Sequence, residues 1–115
     1  MKLKSAETFP ITIYVGGDPK DAERICRQYC MEVGFCVTVT PTEYIYKGGQ
    51  ESGVIVGIIN YPRFPREPQE LIKHAMALTG KLMDGLFQES ATVETPVCTQ
   101  WISKRDSEQS PSSQA

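Results

Sequence analysis

The stretch Gly53-Val54-Ile55-Val56-Gly57-Ile58-Ile59-Asn60-Tyr61-Pro62-Arg63-Phe64-Pro65-Arg66-Glu67-Pro68 holds a strand, a stiff joint and the start of a helix. Its apolar run, Val54, Ile55, Val56, Ile58 and Ile59, reads as a strand buried on both faces, hence a central strand or an interface. After it, Pro62, Pro65 and Pro68 each fix φ and restrain the residue before them. From Pro68 to about Gln88 an apolar stripe recurs at helical spacing: Leu71, Ile72, Ala75, Met76, Thr79, Leu82, Met83 and Leu86. Burying about seven large side chains at roughly 2 kcal/mol each makes this helix a principal core element. Gly80 and Gly85 each weaken it by about 1 kcal/mol relative to Ala, and close backbone packing is one compensation.

Upstream, Lys47-Gly48-Gly49-Gln50 reads as a hairpin turn, since glycine tolerates positive φ. Phe35 to Thr40 is a strand that Pro41 interrupts, which places it at a sheet edge or at a bulge, and Thr42 to Tyr46 continues extended. Further back, Pro10 to Val15 alternates, with Ile11, Ile13 and Val15 on one face and Thr12 and Tyr14 on the other. Gly16-Gly17 breaks this strand. Asp18 is a helix N-cap, with Pro19 at the first helical position and Asp21 in the first turn. That helix runs to about Val33 on a stripe of Ala22, Ile25, Cys26, Tyr29, Cys30 and Val33, and Gly34 stops it. Downstream, Ala91 to Ser103 is a last strand, with a bulge or bend at Pro96.

The order is strand, helix, strand, strand, helix, strand. This is the split βαβ, or ferredoxin-like, α+β pattern: an antiparallel four-stranded sheet with both helices on one face. The other face then carries Tyr14, Tyr44, Tyr46 and Trp101. An apolar second face needs a cover, which predicts a homo-oligomer. The 115 residues make one domain over 9–105, with a flexible lead-in at 1–8 and a polar, Ser/Gln-rich tail at 106–115 expected to be disordered.

Hydrophobic residues at 40% and charged residues at 23% are the balance of a soluble globular chain. A formal net charge of -2 argues against a binder of long nucleic acid. No run approaches the roughly 18 apolar residues of a membrane span. The first residues, Met1 to Glu7, lack the apolar core of a signal peptide, so a cytoplasmic, reducing setting is expected. Cys26, Cys30, Cys36 and Cys98 contain no Cys-x-x-Cys pair, so no metal site and no cofactor is expected, and Cys26 and Cys30 read as core residues. His74, the single histidine, sits mid-helix with little to support it as a general base. No nucleophile elbow, triad or paired carboxylates are in view, so the chain reads as a non-enzyme. Catalysis would fall to His74, Glu89 or Asp106.

Four places can hold a ligand. Tyr61, Arg63, Phe64 and Arg66 set guanidiniums and rings on the proline-stiffened joint, an anion-and-ring site; equally, the joint is a plain connector whose aromatics finish the core. Thr99, Trp101, Arg105 and Asp106 combine an aromatic face, hydroxyl, guanidinium and carboxylate, which suits a nucleoside-like ligand; the plainer alternative is a core tryptophan at a frayed strand end. Phe87 and Gln88 end the second helix just off its apolar stripe, facing a ligand or making a helix-end contact. Arg24 and Arg27 form a second anion site between subunits, or simply pair on the surface. Gly16-Gly17-Asp18 precedes a helix, yet lacks the endings of a phosphate loop or a dinucleotide fingerprint, so Asp18 reads as a cap.

In its size, element order and the Arg105-Asp106 pair, the sequence resembles the Thoeris anti-defence protein one family of phage proteins. The resemblance implies a small sheet flanked by two helices, assembled into dimers or hexamers, that sequesters cyclic ADP-ribose isomers without cleaving them. It implies Arg105 and Asp106 as ligand contacts, Phe87 as the stacking aromatic, and Arg24 at a cyclic-oligonucleotide site between subunits. The function expected is a non-catalytic sponge for a nucleotide-derived signal, in the host cytosol if phage-encoded. The alternatives are a protein–protein adaptor or inhibitor using the Tyr61–Arg66 loop, and a small nucleotide-processing enzyme.

Overall fold

The computed structural model describes residues 1–105, so the expectations placed on Asp106 and the rest of the tail lie outside the described residues. The elements are β1 (Ile11–Gly16), α1 (Pro19–Val33), β2 (Thr38–Tyr46), β3 (Gly49–Ile58), α2 (Pro68–Gly85), β4 (Ser90–Glu94) and β5 (Thr99–Ser103). The strands form one five-stranded antiparallel sheet in the order β2-β3-β1-β4-β5. The first four strands keep the ferredoxin-like arrangement, with both helices against the face that carries Ile13, Val15, Val54, Val56, Ile58 and Val93.

The expected fourth strand is two strands. At Thr95 the chain turns back: its N–H donates to the Cys98 carbonyl at 2.9 Å, and its hydroxyl accepts from the N–H groups of Val97 and Cys98. Pro96 therefore sits in a turn that a threonine side chain closes, where a bulge or bend within one strand was expected. The hairpin pairs Ala91 with Ile102 and Thr92 with Trp101, and adds β5 as a new edge.

Local chemistry explains most boundaries. The Asp18 carboxylate accepts from the N–H groups of Lys20 and Asp21 at 2.7 and 3.2 Å, and Gly34 ends α1 at φ 70. β2 runs through Pro41 and pairs only with β3, an edge on which a missing N–H donor is harmless. It begins at Thr38, because Phe35 instead leaves the sheet to stack on His74, with ring centroids 4.4 Å apart. Two residues, Lys47 and Gly48, link β2 to β3, and Gly48 takes φ 89. Gly85 lets the helices approach: a Cβ there would meet Ile25 Cδ1 at 2.5 Å. Gly80 has no such neighbour. On α2 the buried stripe includes Leu78, while Met76 is partly exposed.

Register puts Tyr14, Thr92 and Trp101 in one row across the other sheet face, with Tyr44 and Glu51 as cross-strand partners nearer one end. That face is uncovered in the single chain. No helix among the described residues is long and apolar enough to cross a membrane.

Candidate functional site

The residues nominated from the sequence fall in separate places. The joint 60–67 lies at the start of α2 and Phe87 just past its end. The helix has 18 residues, about 27 Å at the usual rise, so the two groups share no pocket. Thr99 and Trp101 lie on β5, the edge opposite β2. Arg24 makes a surface pair with Asp21 at 3.8 Å, both well exposed and worth little, and Arg27 is exposed on the same helix.

The structure does bring Phe87, Gln88 and Arg105 to one end of the fold. Lys104 N donates to Glu89 O at 2.9 Å, and its ammonium reaches Asp84 at 2.9 Å, so the end of β5 is tied to the end of α2.

Phe87 stands out there. α2 closes with Phe87 N donating to Asp84 O and Gln88 N to Met83 O, the hydrogen-bond pair that requires a left-handed residue between them. Glycine ordinarily fills that place. Here it is Phe87, at φ 57, the sole non-glycine with positive φ among the described residues. Its ring is 91% exposed, so no packing repays the strain of roughly 1 kcal/mol. A strained, solvent-facing aromatic points to a ligand contact.

Beside it a polar cluster forms from distant parts of the chain. Leu86 packs over Gly17, where a Cβ would meet its Cβ at 2.9 Å. At Gly16 a Cβ would lie 2.8 Å from Glu51 Oε2 and 2.9 Å from Gln88 Oε1, so a carboxylate and an amide oxygen converge on one glycine. Tyr44 lays its ring over Gly53 and donates its hydroxyl to Val54 O at 2.6 Å. Burial pushes the Tyr44 hydroxyl up to about 12, so it stays protonated. Tyr14, on the same face, donates to Glu94 at 2.9 Å.

This end of the sheet is acidic and aromatic. Asp18 already occupies the amides at the start of α1, which closes the one place a phosphate would seek. A carboxylate with an amide oxygen beside it suits ligand hydroxyls or a cation, and an exposed ring suits a base. Sequence reading missed Glu51 altogether and gave Tyr44 no role beyond its sheet face.

The joint, by contrast, is locked. Asn60 is buried and bonds both ends of Arg66's peptide: its Oδ1 accepts from Arg66 N at 2.9 Å, and its Nδ2 donates to Arg66 O at 3.1 Å and to Glu7 O at 2.9 Å. The Arg66 guanidinium donates to Gly34 O at 2.8 Å and to His74 Nε2 at 3.0 Å, and pairs with Glu70. Its charge is spent inside the protein. Arg63 lies over the Phe64 ring, 5.3 Å from its centroid.

No family model and no curated protein matches the chain. Two solved structures share its fold. A phage SAM lyase in its apo state superposes with a TM-score of 0.71 at 20% identity, over 87% of this chain and 92% of that one. A phage SAM lyase in complex with S-methyl-5'-thioadenosine gives 0.66 at 19% identity, over 94% of this chain and 98% of that one. These neighbours correct two expectations. They are named as enzymes, and one holds a nucleoside thioether, which overturns the non-catalytic sponge and the non-enzyme reading drawn from the sequence. Of the Thoeris resemblance only the coarser part is met, in that the neighbours are phage proteins and one has a small nucleoside-type ligand.

Proposed function

We propose that this chain is a small enzyme that cleaves a sulfonium nucleoside of the S-adenosylmethionine type, in the cytoplasm, at the cluster of Tyr44, Glu51, Gln88 and Phe87. The observation that carries this is the convergence of Glu51 and Gln88 over Gly16 beside the strained, exposed Phe87. In this reading Phe87 stacks on the adenine, and the Glu51 carboxylate accepts hydrogen bonds from the ribose hydroxyls. Gly16 leaves room for the Glu51 and Gln88 side chains to come together over the backbone.

Such a reaction needs no triad, so an enzyme of this kind carries no nucleophile motif for a reading of residues to find. The substrate carries its own leaving group, a sulfonium, and its own nucleophile, the methionyl carboxylate. One carboxylate oxygen attacks the carbon next to sulfur, the new C–O bond forms, and the C–S pair stays on sulfur. The products are S-methyl-5'-thioadenosine and a five-membered lactone, with no water consumed and no proton moved. Opposite charges vanish along this path, so a site drier than water favours it. Holding the chain folded back supplies the rest, since oriented intramolecular reactions reach effective molarities of about 10⁵ M or more. Self-association through the open sheet face, where Trp101 is 40% exposed, belongs to the same reading, as it would cover that face and dry the site.

The test is to incubate the purified protein with S-adenosylmethionine and follow products by mass spectrometry. Formation of S-methyl-5'-thioadenosine with homoserine lactone, reduced about a hundredfold in Glu51→Gln, supports the reading. Vinylglycine in place of the lactone would replace the displacement by proton abstraction. No thioether at all would overturn the activity.

A further inference from the structure

A cavity lies at the N-terminal end of α2, away from the cluster over Gly16. It has a volume of about 310 Å³ and lies between the end of α1 and the proline joint. Its apolar walls are Phe35, Ile59, Phe64 and Leu71, and its polar side chains are Cys36, Tyr61 and Arg66. Ile59 is 49% and Phe64 59% exposed, so large apolar surface is left open to water. The frame beneath is fixed: buried Asn60 holds the Arg66 backbone, and the Arg66 side chain is tied to Gly34, Glu70 and His74. Rigid, apolar and open is the description of a preformed ligand site, where binding orders little.

Charge decides the class of ligand. The Arg66 guanidinium faces Glu70 and adds nothing net. Arg63 lies against the outer wall, 5.3 Å from the Phe64 ring centroid, and no ion pair is formed by it among the described residues. One unspent guanidinium beside an apolar cavity matches one carboxylate, which its planar fork can grip through both oxygens. A phosphate dianion would ask for more donors than are free here.

We infer that this cavity binds a small aromatic carboxylate, its ring between Ile59 and Phe64 and its anion on Arg63. The site is independent of the cluster over Gly16.

The test is a titration of the ¹⁵N-labelled chain with 2-naphthoate and, separately, with neutral 2-naphthylmethanol, read as amide shifts. Naphthoate should move the amides of Phe35, Cys36, Ile59 and Phe64 and leave Gly16 and Glu51 in place. Arg63→Gln should weaken naphthoate about tenfold and leave naphthylmethanol unchanged. Phe64→Ala should weaken both probes, while the spectra of both free variants overlay the parent elsewhere. Equal affinity for the two probes would overturn the anion assignment. Shifts at Gly16 and Glu51 alone, or no shifts at about millimolar probe, would overturn the site.

Discussion

Tyr29 on α1 and His74 on α2 meet through Oη and Nδ1 at 2.7 Å, and Arg66 on the other side of the ring decides which of the two carries the shared proton. Arg66 can only donate, and it donates to Nε2 at 3.0 Å. Nε2 is therefore bare, Nδ1 carries the hydrogen, and the Tyr29 oxygen accepts it. The ring also stacks on Phe35, so three segments meet at one neutral imidazole.

A pH dependence follows. Burial first, and then the neighbouring Arg66 charge, lower the His74 pKa from its ordinary 6.5, against a smaller pull upward from Glu70. Below that value the unfolded chain takes up a proton that the folded chain resists, so stability falls as pH drops through and below 6.5. Urea unfolding between about pH 7 and about pH 5 should show that decline, and His74→Gln should flatten it. An unchanged slope in the variant would remove His74 as its source.

Asn60→Ala should destabilise the protein by about 1–2 kcal/mol, because it removes the partner of the Arg66 N–H and of the Glu7 and Arg66 carbonyls in a half-buried place. Chemical denaturation measures the loss. The cluster over Gly16 should keep its activity, since it lies beyond the other end of α2.

Phe87→Gly should act in opposite directions on stability and turnover. Glycine adopts positive φ freely, so the melting temperature should rise, by an amount matching about 0.5–1 kcal/mol. Loss of the ring should lower kcat/KM by about tenfold. A fall in both quantities would mean that the ring packs for stability.

Gly53→Ala should be severe. A methyl group there would sit 2.5 Å from the Tyr44 ring and 2.5 Å from the Val15 carbonyl oxygen, and the latter is backbone that cannot swing away. Cost of about 2 kcal/mol or more is expected, with displacement of Tyr44 read as a change in its fluorescence.

Features governed by neighbours in sequence were legible. Asp18, Pro19 and Gly34 fix α1 because capping is local chemistry, and the proline joint was visible as rigid. The β4–β5 hairpin was missed because Thr95 closes it with a hydroxyl, which a reading centred on Pro96 ignores. The site was hidden for a different reason: positions 16, 51 and 88 converge only after the sheet forms. One part was recoverable. Counting outward from the Lys47-Gly48 turn pairs Tyr46 with Gly49 and Tyr44 with Glu51, which places a carboxylate beside a tyrosine. The left-handed Phe87 had no such signal, since the apolar stripe reads on to about Gln88 and glycine is the residue that ordinarily marks such a place.

The central strand of the sheet is the first one synthesised. Ile13 pairs with Val56 on one side and with Val93 on the other. Val93 lies far along the chain from Ile13, so β1 stays without its second partner until the later elements have folded back onto it. Contacts of such long range form slowly and together, so the sheet closes as one late event in folding. Until Val93 docks, β1 keeps one open edge, and that docking completes the core.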